Sequence, residues 1–375
     1  MKSSFISSSA IQNAMRLTIR QSQNQMVQSA VEASTKMYAD VGVALGVNTA
    51  KSVDFNREID RIKSIKDSNS VVNLRLEMSQ NGLDAMNGAA DDLVAKLTAL
   101  KGSQSADTIT VTLQQASSAF SQLMDTGNSL TNGEYLFSGI NTDVAPLTDQ
   151  SAAAMSAMQT NLKAYASALT DPVTGNPKTV ADLDATDMKN FTTMFVEPMF
   201  MQDTLPTGYP VGAPAPTGGL TYDTTPPAWG NWSSASNQNM TSRISNSEVV
   251  TSSTNANSDG MRYFAMATVM TKALTNQGLG TAGMSGLSDA AIDYAGRATT
   301  GITGQQSQLG LSQERVTKSN AALDAQSSIL QGKLIDLTGV DPVEATTIVK
   351  NMETQLQTSY TIISKIQQLS LVNYL

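Results

Sequence analysis

The apolar positions at the C-terminal end of the chain fall on one stripe. Val349, Met352, Leu356, Tyr360, Ile363, Ile366, Leu369 and Val372 follow one another at steps of three and four, and Leu375 extends the stripe. That is the spacing of one face of an α-helix. The break before it is legible in "LTGVDPVEA": Gly339 stops a helix, Asp341 caps the next, Pro342 takes its first position and Glu344 completes a capping box. The terminal helix then runs over about 343–375 and is about 50 Å long at about 1.5 Å per residue. At the other end Ile11, Met15, Thr18, Ser22, Met26, Ala30, Ala33 and Met37 step in the same way, on a weaker and partly polar stripe. Each terminal helix reads as half of a pair.

Between them the period is seven. Leu76, Leu83, Ala90 and Leu97 form one seam, and Val72, Met86, Leu93 and Leu100 form its complement, with Ser79 the polar member. "KGSQSAD" (101–107) is a turn. Ile109, Ala116, Leu123 and Leu130 follow on one seam, Leu113 and Phe120 on the other. Towards the C-terminus Ala295, Ile302, Leu309, Val316, Leu323, Leu330 and Leu337 are each seven apart, beside a mostly polar second seam. Sustained heptads of this kind predict helices that pack as a coiled coil or bundle. "GVALGVNTAKSVDF" (42–55) breaks the first helix from the bundle.

Proline marks where helices cannot continue. Ten of the 11 prolines lie between Pro146 and Pro227. The middle opens with a helical piece (151–169), turns Pro-, Gly- and Thr-rich over 206–232, and "SRISNSEVVTSS" (242–253) alternates as a returning strand does. The pattern predicts a mainly α fold: an elongated antiparallel helical bundle with coiled-coil terminal helices and a central inserted domain of short strands and loops. The expected boundaries are 1–48 and 338–375 for the terminal helices, 49–145 and 255–337 for the bundle, and 146–254 for the insertion.

Composition narrows the chemistry. Apolar residues are 40% but aromatics only 5%, which suits long helical packing. The net charge of −8, with no basic run, argues against nucleic acid as a partner. There is no cysteine and no histidine, so thiolate chemistry, Cys-type zinc sites and the commonest general base are missing. No stretch reaches the length of a membrane span, and the first residues lack the apolar core of a secretory leader. "DLDATD" (182–187) lacks the glycine and distal glutamate of a calcium loop. Asp91 and Asp92 are adjacent on a helix and read as solvated. No constellation of residues points to catalysis, a metal or a cofactor.

Two stretches carry a family resemblance: "NGEYLFSGINTDVAPL" (132–147) and residues 323–375, which end "LSLVNYL". Together they resemble the flagellin superfamily, and within it the hook-associated proteins of the hook–filament junction. The motif residues are Gly133, Tyr135, Leu136, Phe137, Ser138 and Gly139, supported by the approach from Asp336 to Ala345, the segment Leu356 to Tyr360, and the end Leu369 to Leu375. The resemblance covers 1–147 and 258–375. Flagellin itself shares the terminal L-S-L but generally lacks Y-L-F-S-G and the N-Y-L ending. The family's usual S-G-x-R and S-D-D-P loop after the first helix is replaced here by "VGVALGVNTAKSVDF" (41–55).

The resemblance implies a nonenzymatic structural adaptor of the bacterial flagellum, exported unfolded through the type III channel and located outside the cell. It implies a ring of subunits with terminal helices innermost, the bundle around them and the insertion facing outward. The expected packing residues are Ile11, Met15, Met26, Met37, Val349, Met352, Leu356, Tyr360, Ile363, Ile366, Leu369, Val372 and Leu375. The implied partners are copies of itself, the first hook-associated protein on the hook side, flagellin on the filament side and an export chaperone, with no membrane. Because the apolar gain of the terminal stripes is close to the entropy cost of ordering them, they are expected to order on assembly. The alternatives are a filament subunit, or an enzyme housed in the insertion.

Overall fold

The computed structural model describes residues 8–372, with side-chain surroundings over 10–368. In chain order the helices are α1 (Ser8–Thr35), α2 (Val41–Leu45), α3 (Thr49–Gly102), α4 (Ala106–Gly127), α5 (Ser151–Ala168), α6 (Ala185–Phe191), α7 (Glu197–Met201), α8 (Trp229–Trp232), α9 (Asp259–Leu274), α10 (Thr281–Thr338) and α11 (Pro342–Val372). Two short antiparallel hairpins complete the list: β1 (Leu130–Thr131) with β2 (Glu134–Tyr135), and β3 (Thr241–Arg243) with β4 (Val249–Thr251). The fold is mainly α, as the periodicity predicts. The chain divides into two compact units, one from its two ends (up to Lys66 and from Ala321), the other from Asp67 to Asn320.

In the larger unit the heptads of α3 are the core. Leu76, Leu83, Ala90 and Leu97, with Met86, Leu93 and Leu100, have no exposed surface. Ser79 is buried among them and donates its hydroxyl to the Arg75 carbonyl at 2.9 Å, which removes the cost of burying it. On α10, Ala295, Ile302, Leu309 and Val316 are buried. The polar second seam is buried in part: Ser312 and Ser319 are buried, and Ser319 donates to the Ile244 carbonyl at 2.8 Å. Here α3 and α10 run antiparallel, since Asn69 bonds Asn320 (2.7 Å), Asn87 bonds Gln306 (2.9 Å) and Lys101 pairs with Asp289 (2.6 Å).

The second run of heptads ends earlier than its period suggests. Ser105 caps α4 by accepting from the Thr108 amide at 3.2 Å, and Ala116, Phe120 and Leu123 are buried. The helix stops at Gly127, however, so Leu130 lies in β1 and is about half exposed. The reason is the sequence "LTNGEY". Asn132 and Gly133 both take positive φ (54° and 84°), the two-residue turn that joins antiparallel strands.

The centre of this unit is α9, which packs on α4, α5 and α7. It is apolar on nearly every side and buried on nearly every side. Its crossing with α10 is made by two glycines: a Cβ on Gly260 would stand 2.6 Å from the Ile302 nitrogen and 2.8 Å from the Gly301 carbonyl carbon.

Residues 146–254 lie in this same unit and share its core. Their content is more helical than a strand-and-loop insertion, with α5, α6 and α7 and a five-residue π-helical stretch, Thr192–Val196. The sparse apolar residues are large. Trp232 meets Phe120 edge-on at 6.2 Å and Phe200 at 5.4 Å, while Phe191, Phe195 and Tyr165 form a second aromatic group. The Pro-rich stretch is fastened by hydrogen bonds: Tyr209 donates to the Phe195 carbonyl (2.7 Å), and the Asn161 side chain bonds both the amide and the carbonyl of Asp223 (2.7 and 3.2 Å). The alternating "SRISNSEVVTSS" forms both strands of the β3–β4 hairpin rather than one returning strand. The carboxylates of "DLDATD" serve as caps and ion pairs: Asp184 accepts the Thr186 and Asp187 amides, and Asp187 pairs with Lys178 at 2.6 Å.

Candidate assembly site

In the unit built from the chain ends, α1 packs along α11. One stripe of α1, Ile11, Met15, Ile19, Ser22, Met26, Ser29 and Ala33, is buried or half-buried, and so is one stripe of α11, Ala345, Val349, Met352, Leu356, Ser359, Ile363 and Ile366. The α11 row alternates steps of four and three throughout, and the α1 row does so from Ile19 onward, the period of a coiled-coil seam. The sequence places Thr18, Ala30 and Tyr360 on these stripes. The structure instead leaves all three exposed, with Ile19, Ser29 and Ser359 in the seam. Tyr360 stands at the edge, and its hydroxyl accepts from Gln23 Nε2 at 3.1 Å.

The register of the pair is set where each helix ends. Residues 36–38 and 338–340 form an antiparallel bridge: the Tyr38 amide donates to the Thr338 carbonyl (3.0 Å) and the Val340 amide to the Lys36 carbonyl (3.0 Å). Met37 sits in this bridge and is 39% exposed, outside the helical seam. Asp341 caps α11 by accepting the Val343 amide at 2.8 Å, the cap its sequence position predicts. The side chains of Leu369, Val372 and Leu375 lie outside the described residues.

A second apolar row on α1 stands exposed. Leu17, Val27 and Val31 are 61%, 60% and 44% exposed. At about 100° per residue they lie roughly opposite the seam. The exposed side of α11 is mostly polar, with Lys350, Glu353, Gln357, Thr361 and Lys365 along it. The connector adds Val43 and Val47, both almost wholly exposed. Such surface fits contacts with other molecules better than it fits water.

In the larger unit the motif residues Tyr135–Gly139 form a staple. Leu136, Phe137, Ser138 and Gly139 are buried, Tyr135 is half-buried and Gly133 is exposed in the β1–β2 turn. The Leu136 amide donates to the Ser129 carbonyl (3.0 Å), and the Phe137 carbonyl accepts the Ala256 amide (2.8 Å). The Ser138 carbonyl accepts the Ser236 amide (2.9 Å), and the Gly139 amide donates to the Thr254 carbonyl (3.3 Å). One extended strip thus ties the exit of α4 to two returning stretches of residues 234–256. These contacts are structural and carry no chemistry.

Behind the hairpin lies Arg75, which sequence reasoning passed over. It donates to Glu134 Oε2 through Nη1 and to the Tyr135 carbonyl through Nη2, both at 2.6 Å. Burial lowers its pKa, and the Glu134 charge and hydrogen bond push it back up. The sequence signal was the Asn132–Gly133 pair, which places Glu134 on a strand. Among the described residues no group of histidine, cysteine and carboxylate side chains has metal-binding geometry, and no helix is long and apolar enough to cross a membrane.

Residues 6–142 match the bacterial flagellin N-terminal helical region, and residues 292–375 match the bacterial flagellin C-terminal helical region. Among curated proteins no sequence matches the chain. Helices paired through the two chain ends, a buried heptad bundle and these two matches define a flagellar structural subunit. The chain belongs to the flagellin superfamily, whose members are structural, self-assemble and form part of the extracellular flagellum.

Proposed function

We propose that this chain is the subunit of the hook–filament junction, the hook-associated protein 3 type of the superfamily. The observation that carries the reading is the Y-L-F-S-G motif, Tyr135 to Gly139, whose strip fastens the bundle to residues 234–256. The terminal L-S-L-V-N-Y-L, Leu369 to Leu375, supports it from the sequence. In this role the α1–α11 pair forms the inner layer of a ring of copies, and Leu17, Val27 and Val31 of one copy pack on its neighbours. Met15, Met26, Val349, Met352, Leu356, Ile363 and Ile366 hold the pair together within each copy. One edge of the ring meets the first hook-associated protein and the other meets flagellin; a chaperone escorts the chain to export, and residues 146–254 face outward.

Deletion of the gene in its host, read by electron microscopy and by assay of flagellin in the medium, tests this. Hooks without filaments, with flagellin lost to the medium, are the expected result. Filaments of normal length overturn it. Loss of filaments with no flagellin released identifies the chain as the filament subunit instead.

A further inference from the structure

The β3–β4 hairpin ends in a tip, residues 244–248, that its own bonds hold in shape. The Ile244 amide donates to the Glu248 carbonyl (3.0 Å), and Ser245 Oγ accepts the Glu248 amide (3.1 Å). The tip is bonded to both long helices. Ile244 has no exposed surface and belongs to the core. Its carbonyl accepts from Asn69 Nδ2 of α3 at 2.9 Å and from Ser319 Oγ of α10 at 2.8 Å, which fills both of its lone pairs. Asn69 Nδ2 also donates to Asn320 Oδ1 (2.7 Å), and Glu248 Oε1 accepts from Arg315 Nε (2.8 Å).

Asn69 stands where the heptads of α3 call for an apolar side chain, seven residues before Leu76. It is fully buried, and no described residue donates to its Oδ1. An amide in such a seam costs stability and fixes the alignment of the helices it joins. Its position along α3 gives that cost a use. On the side of the larger unit, Val72, Leu76 and Leu83 of α3 and Ile302, Leu309 and Val316 of α10 are buried. On the other side, residues 49–66 of α3 bury only Ser52 and Ile62, and residues 321–338 of α10 only Leu323 and Thr338. Both helices run through this change without a break, so their backbones alone give local opening no place to stop.

We propose that the tip of the β3–β4 hairpin is a clasp that stops the opening of the α3–α10 pair at Asn69 and Asn320. Opening that starts in the sparsely buried stretches advances until the next turn would pull Asn69 and Ser319 off the Ile244 carbonyl. That step leaves several buried polar groups unmatched at once and draws Ile244 from the core. The densely buried part of each helix therefore keeps its fold while the outer part rearranges.

Amide exchange of the full-length monomer at a series of low urea concentrations tests the clasp. In the parent, amides at 70–80 and 309–318 should exchange only with global unfolding, and those at 49–66 and 321–338 well before it. Asn69→Ala should speed exchange at 70–80 and 309–318 by about tenfold or more. Ser319→Ala suits a helix and leaves Asn69 in place, and it should speed the same amides by about three- to tenfold. Amides at 86–100 should change only as far as the urea midpoint does. Leu93→Ala, the control, should lower the midpoint and leave the step at Asn69 where it is. An unmoved step in Asn69→Ala and Ser319→Ala overturns the clasp. So does a uniform acceleration from 70 through 100 that matches the fall in midpoint, which is general destabilisation. Exchange at 49–66 as slow as at 70–80 in the parent overturns it too, because no opening would then stop at Asn69.

Discussion

A Cβ placed on Gly139 would stand 2.4 Å from the carbonyl oxygen of Ser236. The same residue has a positive φ of 65°, so both its backbone and its surroundings require glycine. Gly139→Ala must therefore part the strip from residues 234–238 and also strain its own backbone. The expected cost is about 2–4 kcal/mol, near the upper end for single substitutions. Urea unfolding of the full chain would measure it, and a cost below about 0.5 kcal/mol would show that the strip relaxes freely.

Leu93 lies in the middle of the α3 seam with no exposed surface. Its truncation, Leu93→Ala, leaves a hole in a row of large side chains and should cost about 2–5 kcal/mol. The same change at Leu74, on the outer face of α3 and 41% exposed, should cost well under half as much. Comparable losses at both positions would mean that α3 is not packed as described.

Alkaline pH should destabilise the larger unit through its buried tyrosines. Burial pushes the pKa of Tyr222 up to about 12, and raises those of Tyr209 and Tyr294 further still. In the unfolded chain these phenols ionise near 10. A raised folded value stabilises the protein fully below the unfolded value and is lost as pH climbs through the folded one. Stability should thus fall from about pH 10 upward, with tyrosinate absorbance rising together with the loss of helix. With no histidine in the chain, little change is expected between about pH 6 and 8.

The α1–α11 seam has serines at two central positions, Ser22 and Ser29, and partial exposure along most of its length. A seam so thin offsets little of the entropy of ordering two long helices. Amide exchange in a verified monomer should show weak protection over 8–35 and 342–372, and assembly should raise it. Strong protection in the monomer counts against ordering on assembly.

On the outer face of α1, Leu17→Asp should leave monomer unfolding within about 0.5 kcal/mol of the parent, since the side chain is 61% exposed. Assembly should be lost, because a charge would enter an apolar contact between copies. Sedimentation under assembly conditions reads this directly, and normal assembly would remove Leu17 from the contact.

Much of this protein follows from local periodicity. A stripe that recurs every three or four residues can be buried only by a helix, so the helices, the core heptads of α3 and α10, and the cap at Asp341 were legible before any contact was known. What only the tertiary structure decided is where neighbours stand. The sequence stripe took steps of four from Ser22 through Met26 to Ala30, and from Leu356 to Tyr360. Each such step turns about 40° further around the helix. The partner helix selects the alternating row instead, which buries Ser29, half-buries Ser359 and leaves Ala30 and Tyr360 in water. Leu130 kept the heptad spacing, but the Asn132–Gly133 turn claimed it for a strand. The Pro-rich middle looked sparse in apolar residues because Trp229, Trp232 and Phe200 bury much area with few positions, and their shared core lies far away in sequence. The setting of Arg75 depends on α3, the β1–β2 hairpin and the β3–β4 hairpin arriving together. Periodicity reports which face of an element is buried; long-range packing alone determines what it is buried against.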